Sequence, residues 1–184
     1  MTGVSPRSLG AAVEALAADP GLVPIAGCTD LMVGTPAGGE TTLESRTTGR
    51  ATPTGVLDLH RIPELRGIRS DAEGLDIGAA VTFTELRESP DVARVCPILA
   101  EAAALVGGWQ IQNRATIGGN VANASPAGDS LPALLALDAR VIVAGPNGSR
   151  EVPYDQFHLA YRRTALLPGE LIVRIRIPDQ PSGT

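Results

Sequence analysis

The sequence predicts an α+β fold in two lobes, and three observations carry that prediction. Helical periodicity occupies residues 8–19 and 91–106, with short apolar runs of strand length between them. Turn-bounded strand pairs at 68–78 and 140–153, followed by an alternating run at 171–177, call for antiparallel sheet. A polar turn, His60-Arg61-Ile62-Pro63-Glu64-Leu65, divides the chain into a first lobe, 1–59, and a second, 60–178. With 184 residues, 43% of them apolar, the chain is long enough to bury a core and is not disordered by composition.

In chain order, Ser8 caps an amphipathic helix whose Leu9, Val13 and Leu16 share a face and which stops at Asp19-Pro20-Gly21. Leu22 to Ala26 is a short buried strand. Gly27-Cys28-Thr29-Asp30 then turns into a helical start at Leu31-Met32-Val33, capped by Thr29 or Asp30. Residues 34–55 are rich in Gly, Thr and Pro and read as a long surface loop. Val56 to Leu59 is the next strand. Ile68–Ser70 and Leu75–Gly78 form a hairpin about Asp71-Ala72-Glu73-Gly74. Ala80 to Thr82 is extended, and Thr84 caps a short helix through Arg87. The helical period of Val92, Val95, Leu99, Ala102, Ala103 and Val106 marks one long helix, interrupted near Pro97. After Asp129, S-L-P-A-L-L-A-L-D is a short helix. Arg140–Ala144 and Arg150–Pro153 are strands around Gly145–Gly148, and Leu171–Ile177 is the last strand. The end, I-P-D-Q-P-S-G-T, has no capping element and reads, over 179–184, as the start of a linker to a further domain.

Composition removes several chemistries. All fifteen basic residues are arginine, so a lysine P-loop, a lysine Schiff base and a lysine nucleophile are absent. G-x-S-x-G, H-E-x-x-H and G-x-G-x-x-G do not occur. A net charge of −5 argues against a nucleic-acid partner. No apolar run reaches the roughly 20 residues of a membrane span, and no h-region follows Arg7. Cys28 and Cys96 make neither a disulfide framework nor a zinc pattern, which suits a cytoplasmic protein with reduced thiols.

The most unusual run is A-T-I-G-G-N-V-A-N-A-S-P-A-G-D, residues 115–129, in which no side chain is bulky. Together with the earlier turn, Ala26–Leu31, the stretch Thr116–Asn120 gives two glycine-containing places where backbone N–H groups can meet the pyrophosphate of a dinucleotide such as FAD. Thr29, Thr116, Asn120 and Ser125 add donors, and Asp129 can accept from ribose hydroxyls. The plainer readings are a pair of ordinary turns and, at Asp129, a helix N-cap. Trp109 reads as a packing residue, Cys28 as a small filler, and His60 and His158 as surface or hydrogen-bonded side chains.

Three further blocks support the nucleotide reading. P-I-A-G-C-T-D-L at 24–31, D-L-H-R-I-P-E-L-R-G-I at 58–68 and I-G-A-A-V-T-F-T-E-L at 77–86 precede Q-I-Q-N-R-A-T-I-G-G-N-V-A-N-A-S-P-A-G-D-S-L-P-A-L-L-A-L-D-A-R-V at 110–141. Over residues 8–178 the chain resembles the FAD-binding, or medium, subunit of the molybdenum hydroxylases, the xanthine dehydrogenase and aerobic carbon monoxide dehydrogenase family. The resemblance implies the two-lobed FAD-binding fold of the vanillyl-alcohol oxidase type. A small N-terminal lobe with a short parallel sheet would meet a larger lobe with a mixed or antiparallel sheet, with FAD between them. It implies that Pro24, Ile25, Ala26, Gly27, Cys28, Thr29, Asp30 and Leu31 cradle the pyrophosphate. Thr116, Gly118, Gly119, Asn120, Ala122, Asn123 and Ser125 would complete the cradle. Asp129 would bind the adenosine ribose, and Leu171 and Ile172 would border the isoalloxazine ring or the cofactor's entrance.

The same resemblance implies an electron-transfer role without catalytic residues in this chain and without a metal site. A large subunit would carry the molybdenum cofactor and a small one the [2Fe-2S] clusters, which two cysteines cannot hold. The chain departs from the family at Cys28, where A-G-G-T-D-L has a second glycine, a replacement compatible with a negative φ. It departs also in the length of 34–55 and in lacking the family's C-terminal domain. Two rival readings are a stand-alone FAD-dependent oxidoreductase of this fold and a cofactor-free assembly or interaction protein.

Overall fold

The computed structural model describes residues 2–31 and 53–179. The Gly/Thr/Pro-rich stretch read as a loop therefore lies almost wholly outside the described residues, as do the helical start at 32–33 and residues 180–184.

The N-terminal part is a three-stranded parallel sheet in the order β1–β3–β2, formed by β1 (Thr2–Val4), β2 (Leu22–Ile25) and β3 (Gly55–Asp58). β1 carries too little apolar pattern to be read from sequence; pairing with β3 makes it a strand. Helix α1 (Leu9–Ala18) is capped by Ser8, whose Oγ accepts from Ala11 N, as the sequence indicates. α1 buries Ala12 and Leu16 against Leu22, Leu57, Ile62 and Leu65.

The second part is a five-stranded antiparallel sheet in the order β4–β5–β10–β6–β7: β4 (Ile68–Asp71), β5 (Gly74–Gly78), β6 (Arg140–Gly145), β7 (Gly148–Pro153) and β10 (Leu171–Pro178). Both expected hairpins and the final strand are present. A register shift between Ile172 and Arg174 lets β10 serve two cores. Leu171 and Val173 join the small cluster around α1, while Ile172, Ile175 and Ile177 join the large one. The small cluster thus draws on both sides of residue 59, taking Ala80 and Ala144 as well.

Helices cover the large cluster: α2 (Phe83–Glu88), α3 (Pro90–Val95), α4 (Pro97–Leu105), α5 (Trp109–Gln112), α6 (Ile117–Asn123) and α7 (Ser130–Ala136). Phe83, Leu86, Val92, Leu99, Ile117 and Leu134 are completely buried there.

One expectation is corrected and another sharpened. The cap of α2 is Thr82, not Thr84: Thr82 Oγ1 accepts from Glu85 N while the Glu85 carboxylate accepts from Thr82 N, a reciprocal capping box. Thr84 instead donates to Asn113 Oδ1 at 2.6 Å. The helix over 91–106, interrupted near Pro97 as expected, is broken there completely into two helices. Pro97 has no N–H to offer and disfavours helical backbone at the residue before it, so Cys96 sits at φ −143°, ψ 66°. A small hairpin, β8 (His158–Ala160) with β9 (Arg163–Thr164), completes the fold.

Candidate functional site

The first turn leaves the carboxyl end of β2 in the parallel sheet. That is the edge at which ligands bind open parallel sheets, because successive strands leave their loops there. Pro24 and Ile25 are paired to β3 opposite Leu57 and Asp58, and the Ile25 carbonyl accepts from Leu59 N. Ala26 to Leu31 then turn, and all six are only partly buried.

Gly27 is glycine for a reason the sequence did not indicate. A β-carbon there would overlap the Arg114 carbonyl and lie 2.9 Å from Ala115 Cα. The missing side chain lets the first turn lie directly on the residues that lead into the second half of the site. Cys28 follows at φ +60°, in the left-handed region. The condition under which a side chain is easily tolerated here, a negative φ, is not met, and Cys28 holds a conformation that favours glycine. Its Sγ donates to the Ala26 carbonyl at 3.5 Å, and burial, only partly offset by Arg114, raises its pKa. A protonated thiol is a poor nucleophile, consistent with a filling role.

The second half differs from expectation. Thr116 to Asn120 is not a free turn but the cap and first turn of α6. Its N–H groups are already paired: Ile117 to Val81 O and Gly118 to Ala79 O, both 2.9 Å, Gly119 to Thr116 Oγ1 at 3.1 Å and Asn120 to Thr116 O at 3.0 Å. The N–H groups of Ile117 to Asn120 are thus engaged within the protein. The two glycines also separate in role. A β-carbon on buried Gly118 would sit 2.6 Å from Ala79 Cβ, so this glycine serves packing. Gly119 is exposed and meets only Thr116 Oγ1, at 3.0 Å, leaving its outer face open.

Asn120 Oδ1 accepts from Ser130 Oγ at 2.7 Å, tying α6 to α7. Ala122 is exposed on α6. Ala124 ends the helix at φ +49°, and Ser125 starts a tight turn in which its Oγ and carbonyl accept from Ala127 N and Gly128 N. Asp129 stands at the N-cap position of α7 in helical conformation and makes no capping hydrogen bond. The capping reading is thereby overturned, and Asp129 is exposed.

One residue missed in the sequence joins the two halves. Arg162, at the β8–β9 corner, donates from Nη1 to Asn123 Oδ1 at 2.8 Å and pairs with Asp30 Oδ2 at 3.5 Å. Its backbone N–H donates to the Ala124 carbonyl. The neighbouring Tyr161 hydroxyl, and after it Asp30, hold its proton still more firmly than usual. Nothing in Y-R-R-T distinguishes this arginine from fourteen others; only the hairpin places it. Behind α6, the His158 imidazole Nε2 lies 3.0 Å from the Val121 carbonyl, as a hydrogen-bonded histidine should.

Two other expectations change. Trp109 is 67% exposed, with the Arg87 guanidinium 4.1 Å from its ring centre, and is not a packing residue. Leu171 and Ile172 are buried in the two apolar clusters, so their side chains serve the core and not an open surface.

The result is a small-residue cradle with an open glycine face, hydroxyl and amide donors, an uncommitted carboxylate and one arginine at the junction. These groups fit FAD: polar donors and cationic charge suit a pyrophosphate, and an exposed acid suits ribose hydroxyls. Among the described residues no group of three or more His, Cys, Asp or Glu side chains could hold a metal, and no helix is long and apolar enough to cross a membrane.

Residues 1–180 match the family model of the FAD-binding domain in molybdopterin dehydrogenase. The carbon monoxide dehydrogenase medium chain of Hydrogenophaga pseudoflava is 41% identical over 148 residues, which is 80% of this chain and 52% of that one. A putative xanthine dehydrogenase FAD-binding subunit of Escherichia coli K12 is 40% identical over 127 residues, covering 68% and 44%. Among solved structures, the Hydrogenophaga pseudoflava carbon monoxide dehydrogenase lacking the Mo-pyranopterin moiety superimposes with a TM-score of 0.88 at 36% identity, covering 100% of this chain and 60% of that one. Quinoline 2-oxidoreductase of Pseudomonas putida 86 gives 0.87 at 31%, covering 99% and 60%. The chain spans about half the length of the curated relatives it matches. Fold and similarity agree: the chain belongs to the FAD-binding domain family of the molybdopterin dehydrogenases.

Proposed function

We propose that this chain is the FAD-binding part of the medium subunit of a molybdenum hydroxylase. It would take electrons from the iron–sulfur clusters of a small partner subunit, fed by a large molybdenum-cofactor subunit, and pass them to an acceptor. The observation that carries this reading is the meeting of two distant segments, 26–31 and 116–129, across Gly27 and Arg162, in a chain of this family.

In that role the chain's residues bind and orient. Thr29, Ser125 and the turn at 26–31 would meet the pyrophosphate. The open face of Gly119 would admit the cofactor close to α6, and Asp129 would accept from the adenosine ribose. Leu171 and Ile172 would act from behind, through packing. Bound FAD supplies a carrier that accepts electrons singly and holds two, and the protein contributes position and electrostatics. We place the protein in the cytoplasm, in line with its two free thiols.

The test is cofactor content. The purified chain should be yellow, release FAD on denaturation and recover it from solution. A colourless chain that stays colourless in excess FAD contradicts the proposal.

A further inference from the structure

Three of the four non-glycine residues with positive φ among the described residues, Cys28, Ala124 and Arg162, lie at this cradle. Such conformations are unfavourable for L-residues and persist where surrounding structure imposes them, commonly at ligand sites. Arg162 differs from the other two because its side chain spans the site. One guanidinium nitrogen reaches Asn123 Oδ1 at 2.8 Å on α6 and Asp30 Oδ2 at 3.5 Å on the first turn. Its backbone N–H holds the Ala124 carbonyl at 3.1 Å, beside the left-handed end of α6. The side chain is about one-third exposed, at 35%, so its ion pair adds little to the stability of the folded chain. A strained, partly exposed arginine that contributes little stability but joins both halves is placed for positioning.

We propose that Arg162 is a positioning residue for the cofactor: by bridging Asp30 and Asn123 it fixes the separation of the two halves of the FAD cradle, so that FAD affinity depends on it while folding does not. The inference rests on the FAD reading above and adds a residue outside both glycine segments. Arginine matters because its Nε donates to the Tyr161 hydroxyl at 3.2 Å while Nη1 reaches Asn123 and Asp30, and a lysine ammonium has no second, separately held donor to orient it.

The experiment compares the native chain with Arg162→Gly, Arg162→Lys and Asp30→Asn. FAD dissociation constants are read from quenching of flavin fluorescence, and unfolding midpoints are measured without FAD. Arg162→Gly should bind FAD at least tenfold more weakly, yet unfold no lower than the native chain, since glycine adopts φ +53° without strain. Arg162→Lys should not restore affinity. In the Asp30→Asn background, Arg162→Gly should cost less than tenfold, because loss of the Asp30 charge has already weakened the bridge. Native affinity in Arg162→Gly, or additive losses in the double variant, would overturn the inference and leave the FAD reading standing. A native chain that binds no FAD would overturn both.

Discussion

Cys28→Gly tests the account at the first turn, where a residue with a β-carbon stands in the left-handed region. At φ +60°, a residue with a β-carbon is strained by about 1–2 kcal/mol, and glycine removes that strain. Glycine's greater freedom in the unfolded chain returns roughly 0.5–1 kcal/mol of the gain. Losing a half-buried thiol with one weak 3.5 Å hydrogen bond removes a little more. The net effect on the native chain is therefore close to neutral, and the informative comparison is with Cys28→Ala. Alanine loses the same thiol but keeps the β-carbon, so glycine should exceed alanine by about 1 kcal/mol. For a chain of this size that is a difference of about 2–4 °C in melting midpoint. Differential scanning calorimetry of the cofactor-free variants measures it. If the alanine variant melts above the glycine variant, residue 28 is not in the left-handed region and the strain argument fails. FAD affinity of Cys28→Gly should be no weaker than native, because removing the side chain opens the turn.

The adjacent glycines of α6 should respond oppositely. Gly118→Ala forces a β-carbon into Ala79 and should destabilise the chain by about 1–3 kcal/mol in chemical denaturation. Gly119→Val should leave a folded chain, by circular dichroism and cooperative melting, that no longer takes up FAD. Asp129→Ala should weaken FAD binding by about 1–3 kcal/mol, the cost of unpaired ribose hydroxyls, with an unchanged melting midpoint because Asp129 caps nothing. Stability should fall in acid. A hydrogen bond from Arg176, reinforced by Arg174, lowers the pKa of Asp76, and one from Arg150 does the same for Glu170. A carboxylate depressed on folding contributes stability that is present above its unfolded pKa of about 4 and lost as pH falls through its lower folded value. Melting midpoints should therefore drop below about pH 4, and less steeply in Asp76→Asn.

Elements whose cause is local were readable from sequence. Ser8 announces α1 because its hydroxyl alone satisfies an orphan N–H, and the Asp71–Gly74 turn announces the β4–β5 hairpin. Local cues also misled. Thr82 and Thr84 both stand at the start of the helix, but only Thr82 has Glu85 three residues on, the capping-box spacing that the reading of Thr84 overlooked. Asp129 precedes α7 as a cap would, yet its backbone is helical and its carboxylate makes no capping hydrogen bond. What was not legible is what depends on distant partners. β1 exists through β3. Arg162 matters only because a hairpin delivers it between Asp30 and Asn123. The glycines show the difference clearly. Their clustering was visible, but Gly27 and Gly118 exist for contacts with Arg114 and Ala79 within the protein, and of the three only Gly119 presents an open face.

The central claim is that these two segments together hold FAD. Its most direct test is the stoichiometry and affinity of FAD on the purified chain, by absorbance after denaturation and by titration of the cofactor-free form. One FAD per chain, bound saturably and lost in Gly119→Val while the variant still melts cooperatively, is the predicted result. A native chain that melts cooperatively yet binds no FAD at any concentration titrated would contradict it.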